Sequence, residues 1–181
     1  MQIKNKFNEV VFEYDGTLQE TFEAFATKDN TCNDYPKDLD LSGLNLSGFN
    51  LSELVLIGAN IKGTNFNNCN LNNLVLRDCE LDENTNFIGA KIRDEILKQN
   101  PVYICSGSPW DCLILDEKII LGCQCHHLRT WENITDEILT KIEKDCVPTF
   151  REWQDRVFTA AREHQKEYLD SINYTPLNTA S

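Results

Sequence analysis

Large apolar residues recur at every fifth position, at Leu41, Leu46, Leu51, Leu56, Ile61, Phe66, Leu71, Leu76 and Leu81, then at Phe87 and Ile92 after a slip of one residue. An α-helix repeats its faces every ~3.6 residues and a strand every ~2, so neither holds this set on one side. Two residues before each stands a second apolar or small residue: Leu39, Leu44, Phe49, Leu54, Ala59, Thr64, Cys69, Leu74, Cys79, Thr85 and Ala90. The positions between are mostly Asn, Asp, Ser and Gly, residue types that accept tight corners.

This pattern resembles the pentapeptide-repeat family, whose loose consensus is a small residue, Asp or Asn, Leu, and two variable residues. The resemblance implies a mainly β fold, a short quadrilateral, right-handed parallel β-helix. Four pentads make one coil, the two apolar sets point inward, and residues twenty apart stack. Leu41, Ile61 and Leu81 would form one interior column, Leu56 and Leu76 another, and Phe49, Cys69 and Ala90 a third. Where the family places a polar residue outward, this chain has Val55, Val75 and, alongside, Ile57. One outer face is therefore expected to be apolar.

Three regions follow: a strand-helix cap over 1–36, the repeat over 37–93, and a hairpin-helix module over 94–181. In the cap, Val10 to Tyr14 reads as a strand and Asp15-Gly16 as a turn. Thr17 reads as the cap of a helix carrying Leu18, Phe22 and Phe25, closed by Pro36. Asp94 to Gln99 reads as a short helix ending the repeat. Cys112–Leu115 and Ile119–Cys125 read as the strands of a hairpin. Thr135 is placed to cap a helix to about Lys144. Thr149 and Glu152 form a capping box for a longer helix with Trp153, Val157, Ala161, His164 and Tyr168 on one stripe, set apart by Pro148. That stripe is also a candidate homodimer face. The whole arrangement resembles pentapeptide-repeat proteins of bacteriophages and prophages.

Chemistry-bearing residues are few. Cys123, Cys125, His126 and His127 are zinc-ligand types, and a zinc-binding role for this segment is one alternative. Zinc knuckles put two residues between cysteines on a turn, whereas Cys123 and Cys125 would alternate along a strand. A Cys/His nucleophile pair, Cys123 or Cys125 with His126 or His164, lacks an evident orienting group. There is no phosphate-binding loop, HExxH or GxSxG. The chain is thus read as non-enzymatic and without a cofactor, with Trp110, Trp131 and Trp153 as core.

The formal net charge of -12 disfavours nucleic acid as a ligand and leaves basic protein partners open. A DNA-mimic inhibitor of a type II topoisomerase is a second alternative. Against it, residues 37–93 carry seven acids and five bases, a net of only -2. About three coils at ~4.8 Å also span less than half a turn of B-DNA. With no evident leader or apolar span, and with eight cysteines read mostly as reduced, the chain is expected in the cytoplasm, the host's if phage-encoded. The preferred reading is an interaction protein that inhibits a host enzyme or defence component, with Val55, Ile57, Val75, Trp153 and Val157 as candidate partner-binding residues.

Overall fold

The computed structural model describes residues 2–4, 7–13, 15–17, 20–21, 38–104, 112–122, 124–142 and 147–171. Leu18, Phe22, Phe25, Pro36, Trp110, Cys123 and Lys144 fall outside them. The chain divides into two compact units, one built on residues 1–100 and the other on 101–104 and 112–181.

In the first unit the pentads fold as four columns of parallel bridges. Asp40, Asn60 and Glu80 form one column; Asn45, Asn65 and Asn86 a second; Asn50, Asn70 and Lys91 a third. The fourth is a continuous pairing of β3 (Val55–Ile57) with β4 (Val75–Arg77), in the register Val55↔Val75, Leu56↔Leu76, Ile57↔Arg77. The arrangement is β-helix-like. Its corners follow from the pentad. The residue two after every central apolar position except Leu81 has positive φ, supplied mainly by Gly, Asn and Asp, and an i to i+3 bond such as Leu44 N–H to Leu41 O at 3.1 Å closes the turn.

Both inward sets form the core. Leu39, Leu41, Leu46, Leu51, Leu56, Ala59, Ile61 and Leu71 are fully buried, and Phe66 stacks on Phe87 with ring centroids 5.0 Å apart. Phe49 and Leu44 on the first coil, and Leu76 and Leu81 toward the last, are only half-buried, because each lies at an end of its column. Small polar side chains enter this core by donating to the preceding coil. Thr64 Oγ1 bonds Leu41 O at 2.8 Å, Cys69 Sγ bonds Leu46 O at 2.9 Å, and Cys79 Sγ bonds Leu56 O at 3.2 Å. The one-residue slip is absorbed at 82–85. There Thr85 N–H donates to Asp82 O and its hydroxyl to Ile61 O, while Asn86 resumes the bridge to Asn65.

Ahead of the pentads, β1 (Gln2–Lys4) pairs antiparallel with β2 (Val10–Glu13), and Asp40 N–H donates to Lys4 O. Thr17 does act as a cap: Glu20 N–H donates to its hydroxyl, and Glu20 Oε2 accepts from Thr17 N–H at 2.8 Å. The helix read over Asp94–Gln99 is instead a strand. Arg93 and Asp94 both have positive φ, the signature of a mirror-image two-residue turn, and they reverse β5 (Lys91–Ile92) into antiparallel β6 (Glu95–Ile96).

The second unit is a four-stranded antiparallel meander with helices. Its strands are β7 (Val102–Ile104), β8 (Cys112–Ile114), β9 (Lys118–Leu121) and β10 (Gln124–His127), in the order β10-β9-β8-β7. The single strand read over Ile119–Cys125 is in fact two, because Gly122 takes φ 55° and turns the chain. Helices α1 (Leu128–Glu132), α2 (Asp136–Ile142) and α3 (Val147–Ser171) follow. Thr135 caps α2 through Ile138 N–H as read. Thr149 and Glu152 do not open α3, however. It starts at Val147, and Pro148 fits its first turn, where a missing N–H costs nothing. α3 packs on β7 and β8 and buries Phe150, Val157, Phe158, Ala161 and His164. Trp131 Nε1 donates to Ile119 O at 3.0 Å, tying α1 to the sheet.

Candidate partner-binding face

Three of the four bridged columns satisfy their own polar groups. Asn60 Nδ2 donates to Asp40 Oδ1 at 3.2 Å, Asn65 to Asn45 at 3.0 Å, and Asn70 to Asn50 at 2.8 Å. Each acceptor oxygen also accepts from the backbone two residues on, as when Ser42 N–H donates to Asp40 Oδ1. Amide ladders of this kind stiffen a stack, but they have their donors and acceptors already committed.

The fourth column is different in chemistry. Its outward positions are Val55 and Ile57 on β3 and Val75 and Arg77 on β4. Side chains alternate along each strand, so Leu56 and Leu76 point inward while the two valines lie side by side outside. Val75 is 43% exposed, and Val55 and Ile57 are half-buried. The three repeat residues picked from sequence are therefore together on one side. Arg77, which takes the place of Ile57 one coil on, is a fourth member that sequence reading passed over.

The remaining candidates separate. Val157 is fully buried within the second unit, so its place in a contact surface is corrected to core. Trp153 is half-buried, with its ring 5.9 Å from Phe150. The stripe offered as a dimer face is largely used within its own unit, since Val157, Ala161 and His164 are buried.

Cys125, His126 and His127 lie on β10 opposite Ile120, Ile119 and Lys118. Alternation puts His126 on the face opposite to Cys125 and His127, which splits the ligand set. His126 packs edge-on to Trp131 at 5.3 Å, and His127 Nδ1 lies 3.1 Å from Glu117 O. Among the described residues no three His, Cys, Asp or Glu side chains gather to hold a metal. Cys123 lies outside those residues.

One buried titratable pair was missed. His164 on α3 and Asp116 in the β8–β9 turn are 5% and 2% exposed, with Nε2 to Oδ1 at 3.8 Å. Burial pushes the imidazole below its ordinary range, while Asp116 and Glu167 pull it back. Such a pair resembles part of a catalytic dyad, but both side chains are buried in the second unit.

Residues 37–73 match the family model described as Pentapeptide repeats, in 8 copies. The parallel bridging continues past this match to Lys91. Pentapeptide repeats are generally non-enzymatic and commonly serve as protein-interaction modules. No curated protein and no solved structure matches the chain. Among the described residues no helix is long and apolar enough to cross a membrane.

Proposed function

We propose that this protein is a non-enzymatic interaction protein. In this reading the pentads are a closed, four-sided, right-handed coil that acts as a rigid mount, and the side bearing Val55, Ile57 and Val75 grips a partner protein. The observation that carries it is the contrast between sides: three have amide ladders that satisfy themselves, and one shows valine beside valine, with Val75 43% exposed. Apolar groups at outward positions contribute little to the stack and gain most when another surface covers them. The resemblance to phage and prophage proteins points to a host enzyme or defence component in the cytoplasm as the partner. The acidic balance of the chain favours a basic surface on it.

The test is Val55→Glu together with Val75→Glu in the full chain. Both side chains point outward, so the cost to folding is limited to like-charge repulsion across one rung, about 1 kcal/mol. The expected outcome is a thermal transition a few degrees lower and loss of the partner retained by the wild-type protein in affinity capture from host lysate. A folded double variant that retains the same partner at the wild-type level overturns the reading.

A further inference from the structure

Histidine is the side-chain type whose ordinary titration falls between about pH 5 and 8, and the chain has three, His126, His127 and His164. All three belong to the second unit, and the pentad unit has none. Their surroundings differ. His127 is exposed at the end of β10, and His126 lies edge-on to Trp131. His164 is 6% exposed, on the stripe of α3 that also buries Phe150, Val157, Phe158 and Ala161. α3 packs on β7 and β8, and Asp116, in the turn after β8, stands 3.8 Å from the imidazole Nε2. A buried imidazole thus sits at the seam between the last helix and the sheet.

We propose that α3 is an acid-responsive latch: uptake of a proton by His164 loosens its hold on the sheet, while the pentad coil stays as it is. This is independent of the interaction reading above. An imidazolium held among apolar side chains loses the hydration it has when the helix is open, so protonation favours the open helix. Among the described residues the charges that oppose this are Asp116 from the turn and Glu167 from α3 itself, and burial outweighs them. Glu117, next in the turn, is exposed. β7 and β8 carry only Tyr103 and Cys112 as titratable residues, types whose ordinary ranges lie above about pH 8. In α1, Glu132 pairs with Arg162 and Arg129 is exposed; in α2, Asp136 pairs with Arg151 and Glu137 with Lys141, both at 2.7 Å. The ordinary value of 6.5 belongs to the open helix and the closed one titrates lower. The latch therefore holds fully above that pH and weakens below it, by as much as about tenfold in the opening equilibrium for each pH unit. A contact made through Trp153 on α3 would then depend on acidity, and one made through Val55 and Val75 would not.

The experiment is amide hydrogen exchange on the full chain between about pH 7.5 and 5, with rates corrected for the chemical pH dependence of exchange. Protection at Val157, Phe158 and Ala161 in α3 is expected to fall by about fivefold or more between pH 6.5 and about pH 5. Protection at Ile61 and Leu71, whose N–H groups bridge neighbouring coils, should change by less than about twofold. His164→Gln, uncharged throughout, should abolish the fall in α3. Asp116→Asn removes a carboxylate that favours the proton, so it should move the His164 ring titration, followed by side-chain NMR, to lower pH. Should either variant fold poorly, the contrast between units and the ring titration of the unaltered protein decide the matter. The proposal is overturned by α3 protection that holds or rises on acidification, by an equal fall in the coil, by a fall that persists in His164→Gln, or by a His164 ring midpoint at or above 6.5.

Discussion

Two corner glycines with nearly the same backbone should respond very differently to a methyl group. Gly43 (φ 69°) and Gly89 (φ 79°) both sit in the left-handed region. Placing a Cβ there costs about 1–2 kcal/mol, offset by about 0.4–1 kcal/mol from the stiffer unfolded chain. A Cβ on Gly43 meets nothing within 4 Å, so Gly43→Ala should lose only that difference. A Cβ on Gly89 would instead overlap the Asn68 amide oxygen and lie 3.0 Å from its Cγ and 3.4 Å from its backbone N. Asn68 must then leave its rotamer, which adds about 1 kcal/mol. At roughly 4–8 °C per kcal/mol for a unit of this size, Gly43→Ala should lower the melting midpoint by about 5 °C and Gly89→Ala by about 10 °C. Asn68 itself has φ 58°, so Asn68→Gly is conformationally compatible there. Combined with Gly89→Ala, it should recover most of the extra loss, a coupling of about 1 kcal/mol. Calorimetric melts of the four variants test this. Equal losses at Gly43 and Gly89, or an additive double variant, would refute the claim that the stacked corner sets the cost.

Two further expectations concern buried titratable groups. His164 has an ordinary value of 6.5, lowered in the fold chiefly by burial, so it folds neutral. Its contribution to stability is present above that value and is lost as pH falls below it, because the unfolded chain then binds the proton more readily. The tryptophan-monitored unfolding midpoint should therefore drop between pH 7.5 and 5.5, and His164→Gln should flatten the drop; an unchanged pH slope in that variant would count against this. In the repeat, burial raises the Cys69 thiol above its usual range, and its Sγ bonds Leu46 O at 2.9 Å. Peptide-resolved alkylation at pH 8 should leave native Cys69 unmodified while half-buried Cys125 reacts, and equal labelling of the two would contradict the coil interior described here.

The repeat was legible in the sequence because its period is written in side chains. A spacing of five with a second set two residues earlier is the pattern that resembles the pentapeptide-repeat family, and Leu41 through Ile92 carry it. The outward valines were legible for the same reason, as breaks in a polar column. What escaped depended on single backbone torsions. Arg93 and Asp94 carry none of the Gly or Asn-Gly signals of a hairpin turn, so the fold-back into β6 was read as a helix. In the second unit, Val102–Ile104 is too brief to announce a strand, and Gly122 divided what looked like one. Pro148 punctuates a sequence but also fits the first turn of a helix, which moved the start of α3 ahead of Thr149. The His164–Asp116 pair brings together residues far apart in the chain, and no spacing rule connects them.

The slip between Leu81 and Phe87 carries a practical consequence. An extra residue has been taken in at one corner, while the bridges Asn60–Glu80 and Asn65–Asn86 hold on either flank. Glu83 and Asn84 between them are exposed. Chain length at this vertex is thus uncoupled from the alignment of the levels around it. A foreign loop spliced between Glu83 and Asn84 would be anchored at both ends by existing rungs, which makes this vertex a natural port for grafting a tag or epitope onto the molecule.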